Sequence, residues 1–169
     1  MVYFNGFALK GEEQFFSEEI VDTEQSVVGF SYGAQKAFEY ALQSQKRIDR
    51  LILISPAFFQ NHKKSFIQRQ LRAFKEDEEV YKKTFLENVV YPSNLSLEAF
   101  VSQGSYEELE ALLSYVWEEG KFQELINRGV KVEVFMGGSD KIVNAQKSFD
   151  FFSKLVPVYL YKESGHLLR

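Results

Sequence analysis

A serine with a glycine two residues to either side, Gly29-Phe30-Ser31-Tyr32-Gly33, joins the apolar run Ser26-Val27-Val28 to a stretch of helical spacing, Ala34, Ala37, Phe38, Tyr40 and Ala41. A strand entering a helix through this pattern must turn sharply. The backbone is crowded at such a turn, so the residues flanking the serine have to be small. The turn would lift the Ser31 hydroxyl above the sheet edge and aim the first helical amides toward any charge developing there. The plainer reading is a serine in an ordinary strand–helix connection, so the weight falls on whether partners for Ser31 exist elsewhere.

The remaining periodicities set the frame. Val2-Tyr3-Phe4 stops at Asn5-Gly6 and reads as a strand, as do residues 50–54, 131–136 and 157–161. Residues 50–54, Arg-Leu-Ile-Leu-Ile, are apolar without alternation, which suits a parallel strand covered on both faces. Residues 11–19 predict a short amphipathic helix with Glu12 and Glu13 in its first turn, where the helix dipole favours acids. From 61 to 128 there is almost no strand pattern. Helices are expected near 63–77, 79–89, 96–102, 105–118 and 120–127, broken at Pro92, Gly104 and Gly120, with another over 143–155. Strands alternating with helices place the chain in the α/β class with a mostly parallel sheet. The expected organisation is one domain, a core from 1–60 and 129–169 with residues 61–128 inserted as a helical lid.

Composition removes several functions. A formal charge of −4 opposes general affinity for nucleic acid, which needs an excess of Lys and Arg. The absence of Cys removes disulfides, thiolate zinc sites and a thiol nucleophile together. Two histidines, His62 and His166, leave little for a metal site, and no metal or other cofactor is expected. No run approaches the ~20 apolar residues of a membrane span, and the first residues lack the features of a signal peptide. A monomeric cytoplasmic protein without membrane or nucleic-acid partners is the expectation. The 17 Phe, 9 Tyr and single Trp imply an aromatic core or pocket. Phe30, Phe58, Phe59, Phe66, Tyr115 and Trp117 are pocket candidates, each equally readable as core.

A serine hydroxyl at neutral pH is a poor nucleophile and needs an adjacent base. His166 follows the last expected strand in a Gly-His pair, whereas His62 opens the helical segment beside Lys63 and Lys64 and reads as surface. Asp140, in Gly137-Gly-Ser-Asp140 directly after strand 131–136, is either a helix cap or the acid that orients His166. The order Ser31, Asp140, His166 is that of the α/β-hydrolase arrangement. Each residue also falls at the C-terminal end of a strand, where sheets of this class place their sites. An oxyanion hole would take the amide of Tyr32, the residue after the serine, and that of Phe7 in the loop after the first strand.

At these residues the chain resembles the α/β-hydrolase superfamily and, within it, the short pimeloyl-[acyl-carrier protein] methyl ester esterases of the BioV type. The likeness is carried by Tyr3-Phe-Asn-Gly-Phe7, Gly29-Phe-Ser-Tyr-Gly33, Leu51-Ile-Leu-Ile-Ser-Pro56, Gly129-Val-Lys-Val-Glu-Val-Phe135, Asp140-Lys-Ile142 and Gly165-His-Leu-Leu168. It implies a compact, trimmed sheet of about five strands. It also implies hydrolysis of a pimeloyl methyl ester carried on acyl-carrier protein, with Ser31 as nucleophile, His166 as base then acid, and Asp140 as orienter. Phe66, Ile67 and Gln70 correspond to the substrate-lining positions of the first lid helix.

Residues 61–75 hold Lys63, Lys64, Arg69, Arg72 and Lys75 and no acid. Arg69, Arg72 and Lys75 repeat every three residues as one helical stripe. By the resemblance, this stripe would dock the acidic carrier protein. By charge alone, it is a solvated face balanced by Glu76, Asp77, Glu78 and Glu79. Two other functions remain open at this level: a general short-chain carboxylesterase or thioesterase, and a non-catalytic binding protein of hydrolase fold.

Overall fold

Five strands pair in parallel, each with the next in sequence: β1 (Val2–Phe4), β2 (Ser26–Phe30), β3 (Arg50–Ile54), β4 (Lys131–Gly137) and β5 (Val158–Tyr161). The computed structural model describes residues 1–169. In register, Phe30, Ile54 and Phe135 lie side by side. The loops that follow β2, β3 and β4 therefore leave the sheet at one end, where the site forms.

Alternate strand residues point to opposite faces, and both faces are covered. Val27, Leu51, Leu53, Val132 and Val134 pack with Phe38, Phe122 and Phe152, which come from α1 (Tyr32–Gln43), α5 (Glu119–Asn127) and α6 (Ala145–Phe152). Val28, Phe30, Ile52 and Ile54 pack instead with Phe16, Val89, Leu97, Leu167 and Leu168. The apolar run at 50–54 exists because β3 sits mid-sheet between these two layers.

The lid is α2 (Lys64–Glu76), α3 (Glu78–Val90) and α4 (Tyr106–Ser114). Asp77 separates the first two. Its backbone is extended, and its carboxylate accepts the Val80 amide at 3.1 Å as the cap of α3. Ser105 and Glu108 form a reciprocal capping box at the start of α4.

Four expectations are corrected. The helical insertion does not reach residue 128 as lid: α4 stops at Ser114, Trp117 turns into the core, and α5 packs on the sheet through Phe122 and Leu125. Gly120 does not break a helix but lies in the first turn of α5, with open space where a side chain would stand. Residues 11–19 form only a 3-10 turn, Glu12–Phe16, because Glu12 turns inward to bond the Gly6 amide rather than facing solvent. Residues 96–102 likewise hold one 3-10 turn, Glu98–Phe100. There the chain is extended at Val101, which bridges Leu9 antiparallel and ties the lid to the loop after β1.

Candidate active site

The turn after β2 is built by exclusion. A side chain at Gly29 would place its Cβ 2.2 Å from the Gly33 carbonyl oxygen, and one at Gly33 would stand 1.9 Å from the Phe4 carbonyl oxygen. Both positions must be glycine for α1 to leave β2 at this angle and for β1 to lie against it. Ser31, between them, has φ 55° and ψ −113°, a left-handed conformation a non-glycine residue holds at a cost of about 1–3 kcal/mol. The surroundings enforce it: Ser31 N–H donates to Ile54 O at 2.9 Å, and Ser31 O accepts from Ala57 N at 3.2 Å.

His166 Nε2 lies 2.8 Å from Ser31 Oγ, and His166 Nδ1 lies 2.6 Å from Asp140 Oδ2. An ionised carboxylate only accepts, so Nδ1 carries the proton toward Asp140 and Nε2 is free to accept the Ser31 hydroxyl proton. Asp140 is also the turn former of its loop: Oδ1 accepts the amides of Ile142 at 2.7 Å and Val143 at 3.1 Å. Asp140 is therefore not the helix cap: Asn144 caps α6, and Asp140 shapes the loop with one oxygen and meets His166 with the other. Phe30 backs the imidazole at 5.1 Å between ring centroids. Ser31, His166 and the Asp140 side chain are all shut from solvent.

Gly33 brings the Asn5-Gly6-Phe7 loop beside the serine. The Gly6 amide is held by the buried Glu12 carboxylate at 2.7 Å, and the amides of Phe7 and Tyr32 have no partner within the chain. Buried amides are nearly always paired, so the unpartnered amide of the buried Phe7 stands out. Burial raises the pKa of Glu12, whose second oxygen has no partner.

A cavity of about 370 Å³ lies between the lid and the sheet end, bordered by Phe66 and Gln70 of α2, Tyr81 and Phe85 of α3, Leu112 of α4 and Ile142. Its walls join the apolar cluster that contains Phe7, Tyr32 and Phe74. Ser31 and His166 do not line it. Ser31 is only 2% exposed, so its hydroxyl is closed to solvent in this arrangement.

Of the lid residues singled out from sequence, Phe66 and Gln70 line this cavity, and Ile67 packs on its apolar wall without lining it. Phe59 lines it too. Phe58, Tyr115 and Trp117 do not: they belong to the core on the opposite sheet face, with Phe151 and Phe152, because the chain returns to the sheet after α4. His62 is not a free surface residue. It stacks on Phe66 at 4.1 Å and lines the cavity, and burial together with Lys147 lowers its pKa. The polar wall from α3, with Tyr81, Thr84 and Asn88, went unread in the sequence, as did Lys141, whose ammonium sits over Tyr91. Their only signal was weak amphipathicity. Lys63, Lys64, Arg69 and Arg72 are exposed without a carboxylate partner, and Lys75 stands over Tyr106. Of the acids read as balancing them, Glu78 and Glu79 pair with Lys82 and Asp77 caps α3, while Glu76 stays beside Arg72 and Lys75. No three His, Asp or Glu side chains gather to hold a metal ion, and no helix is long and apolar enough to cross a membrane.

A family model of the alpha/beta hydrolase fold matches residues 14–118, more than half of the chain, with Ser31 inside the match. The chain belongs to the alpha/beta hydrolase fold family. Asp140 and His166 lie beyond the matched span, so the coordinates, not the family match, bring them to Ser31. No curated protein matches the chain in sequence. Among solved structures, the chain is similar in fold to an esterase from Exiguobacterium antarcticum (17% identity, TM-score 0.55, covering 82% of this chain and 58% of that one). It is likewise similar to a bromoperoxidase from Bacillus anthracis (16% identity, TM-score 0.68, 85% and 60%). The chain thus spans 58–60% of the length of these two hydrolase-fold proteins. BioG from Haemophilus influenzae is nearer in size: 12% identity, TM-score 0.61, covering 98% of this chain and 87% of that one.

Proposed function

We propose that the chain is a serine carboxylesterase and that its substrate is a pimeloyl methyl ester carried on acyl-carrier protein. One observation carries the esterase reading: the continuous hydrogen-bonded line from Ser31 through His166 to Asp140. In this reading Ser31 Oγ attacks the ester carbonyl while His166 Nε2 takes its proton. Asp140 holds the ring in the required tautomer and stabilises the imidazolium. The tetrahedral oxyanion accepts from the Phe7 and Tyr32 amides. Collapse breaks the carbon–oxygen bond to the alcohol, and the imidazolium proton leaves with it as methanol. Water, deprotonated by His166, then opens the acyl-enzyme to release the carboxylic acid and restore the Ser31 hydroxyl.

Three features support the finer reading. The sequence stretches quoted above resemble the pimeloyl methyl ester esterases. The cavity, with an apolar side and a polar α3 side, is of a size that takes a small acyl group. The cations at Lys63, Lys64, Arg69, Arg72 and Lys75 stand on the outer lid without carboxylate partners, where an acidic carrier would be steered. Phe66 and Gln70 are assigned to the acyl chain, with Ile67 packed behind them.

Labelling with a fluorophosphonate tests the reaction class: the wild type takes the label and Ser31→Ala does not. A wild type that stays unlabelled makes the protein a binder rather than an esterase. Steady-state comparison of the carrier-bound methyl ester with acyl thioesters and nitrophenyl esters tests the substrate. Higher kcat/KM on thioesters, or no preference for the carrier, would replace the pimeloyl assignment with a general carboxylesterase or thioesterase.

A further inference from the structure

Ser55, the residue after β3, donates its hydroxyl to the main-chain carbonyl of His166 at 2.6 Å, with both residues buried. This is the one hydrogen bond that the His166 main chain makes. The other bonds of its loop, Ser139 N–H to Ser164 O, Gly165 N–H to Arg169 O and Leu168 N–H to Gly165 O, hold its neighbours. The same short segment grips the nucleophile: Ile54 O accepts the Ser31 amide, and Ala57 N–H donates to Ser31 O. Ser55 N–H also donates to Phe135 O at 2.7 Å, on the strand that leads to Asp140.

The backbone at Ser55 has φ 41°, in the left-handed region that favours glycine. Glycine would relax that strain, so the serine sits here against the backbone preference. The hydroxyl is what glycine lacks. We propose that Ser55 is a positioning residue that sets the Ser31–His166 distance, by tying the base's main chain to the segment that already holds the nucleophile. The inference rests on the esterase reading, since it concerns how that line is held and not whether it acts.

The test compares Ser55→Gly and Ser55→Ala with the wild type for fluorophosphonate labelling rate, kcat and KM on a small nitrophenyl ester, and Tm. The two variants should move apart in Tm, glycine higher because it accepts the left-handed backbone and alanine lower. Both should nevertheless lose about 10- to 100-fold in labelling rate and kcat, the scale of a small misplacement of reacting groups, with KM nearly unchanged. The downfield proton resonance of the His166 Nδ1–H···Asp140 bond should broaden in both. A Ser55→Gly protein that labels within about twofold of the wild type overturns the positioning role, as does a rate that follows Tm rather than the hydroxyl. If the wild type itself does not label, the esterase reading falls, and this inference with it; wild-type labelling with unaffected variants sinks this inference alone.

Discussion

The floor of the site and its cover are held together in different ways. On the floor, α1 buries six of its twelve residues, and at Gly29 and Gly33 the backbones pass too closely to admit any side chain. Above it, α2 and α3 bury one residue each, Phe74 and Val89, out of thirteen apiece. The cover meets the floor mainly through α4, Phe74 and Val89, with few hydrogen bonds across. Gln35 of α1 donates to Leu112 O of α4 at 3.0 Å, and Val101 bridges Leu9. Sparse burial means a low free energy of local opening. The difference teaches where each property can reside: geometry that must hold to a fraction of an ångström sits on the crowded floor, and access and selectivity sit on a cover that can shift.

The largest contrast should come from the floor's chemistry. Ser31→Ala, or His166→Ala, is expected to lower kcat by about 10⁴- to 10⁶-fold with little change in Tm. Ester turnover and a thermal melt on the same preparation check both halves. An alanine variant that keeps more than a hundredth of the activity would place the reaction elsewhere.

Packing should separate the regions next. Phe122 sits among Phe38, Trp117 and Phe152 on the core side, and Phe122→Ala should cost about 3–5 kcal/mol, or roughly 10 °C in Tm. Phe66, half-buried on the cavity edge, should cost about 1 kcal/mol or less on truncation while altering KM for acyl esters. Equal destabilisation by the two would mean the lid is as firmly packed as the sheet, and the comparison would fail.

Charge reversal on the cover sharpens the contrast further. Arg69→Glu with Arg72→Glu should raise KM for a carrier-bound ester by about tenfold, more at low salt, and leave a small free ester unaffected. Parallel loss on both substrates would remove carrier docking from this stripe.

The smallest effect concerns Glu12 beneath the oxyanion loop. Burial raises its pKa in the folded protein, so folding favours the protonated form. Its contribution to stability is complete below the pKa of the unfolded glutamate and is lost as pH rises through the raised folded value. Glu12→Gln, a mimic of the protonated acid, should therefore gain Tm relative to the wild type as pH increases, with the two converging in acid. Melting curves across pH that stay parallel would contradict a buried, reluctantly ionised Glu12.

Much of this architecture can be read from local pattern. The five strands, the turn at Ser31 and the order of serine, aspartate and histidine are legible because strand alternation, glycine at crowded turns and strand-end placement are short-range signals. The lid helices are legible in neither number nor extent: residues 96–102 hold only a 3-10 turn, and the fifth expected helix packs on the sheet. Trp117 and Phe122 look the same in sequence whether they face a cavity or a sheet, and a buried Glu12 reads like any acid at the start of a helix.

Residue types and their spacing along the chain were enough to specify the class of fold and the three side chains at its centre, since those depend on neighbours a few positions away. Which aromatic residues line the cavity and that Ser55 grips His166 depend on segments up to 111 residues apart. Such contacts arise only when the sheet brings its strand ends together, because hydrogen bonds and packing act over ångströms and carry no trace in the local order of the chain.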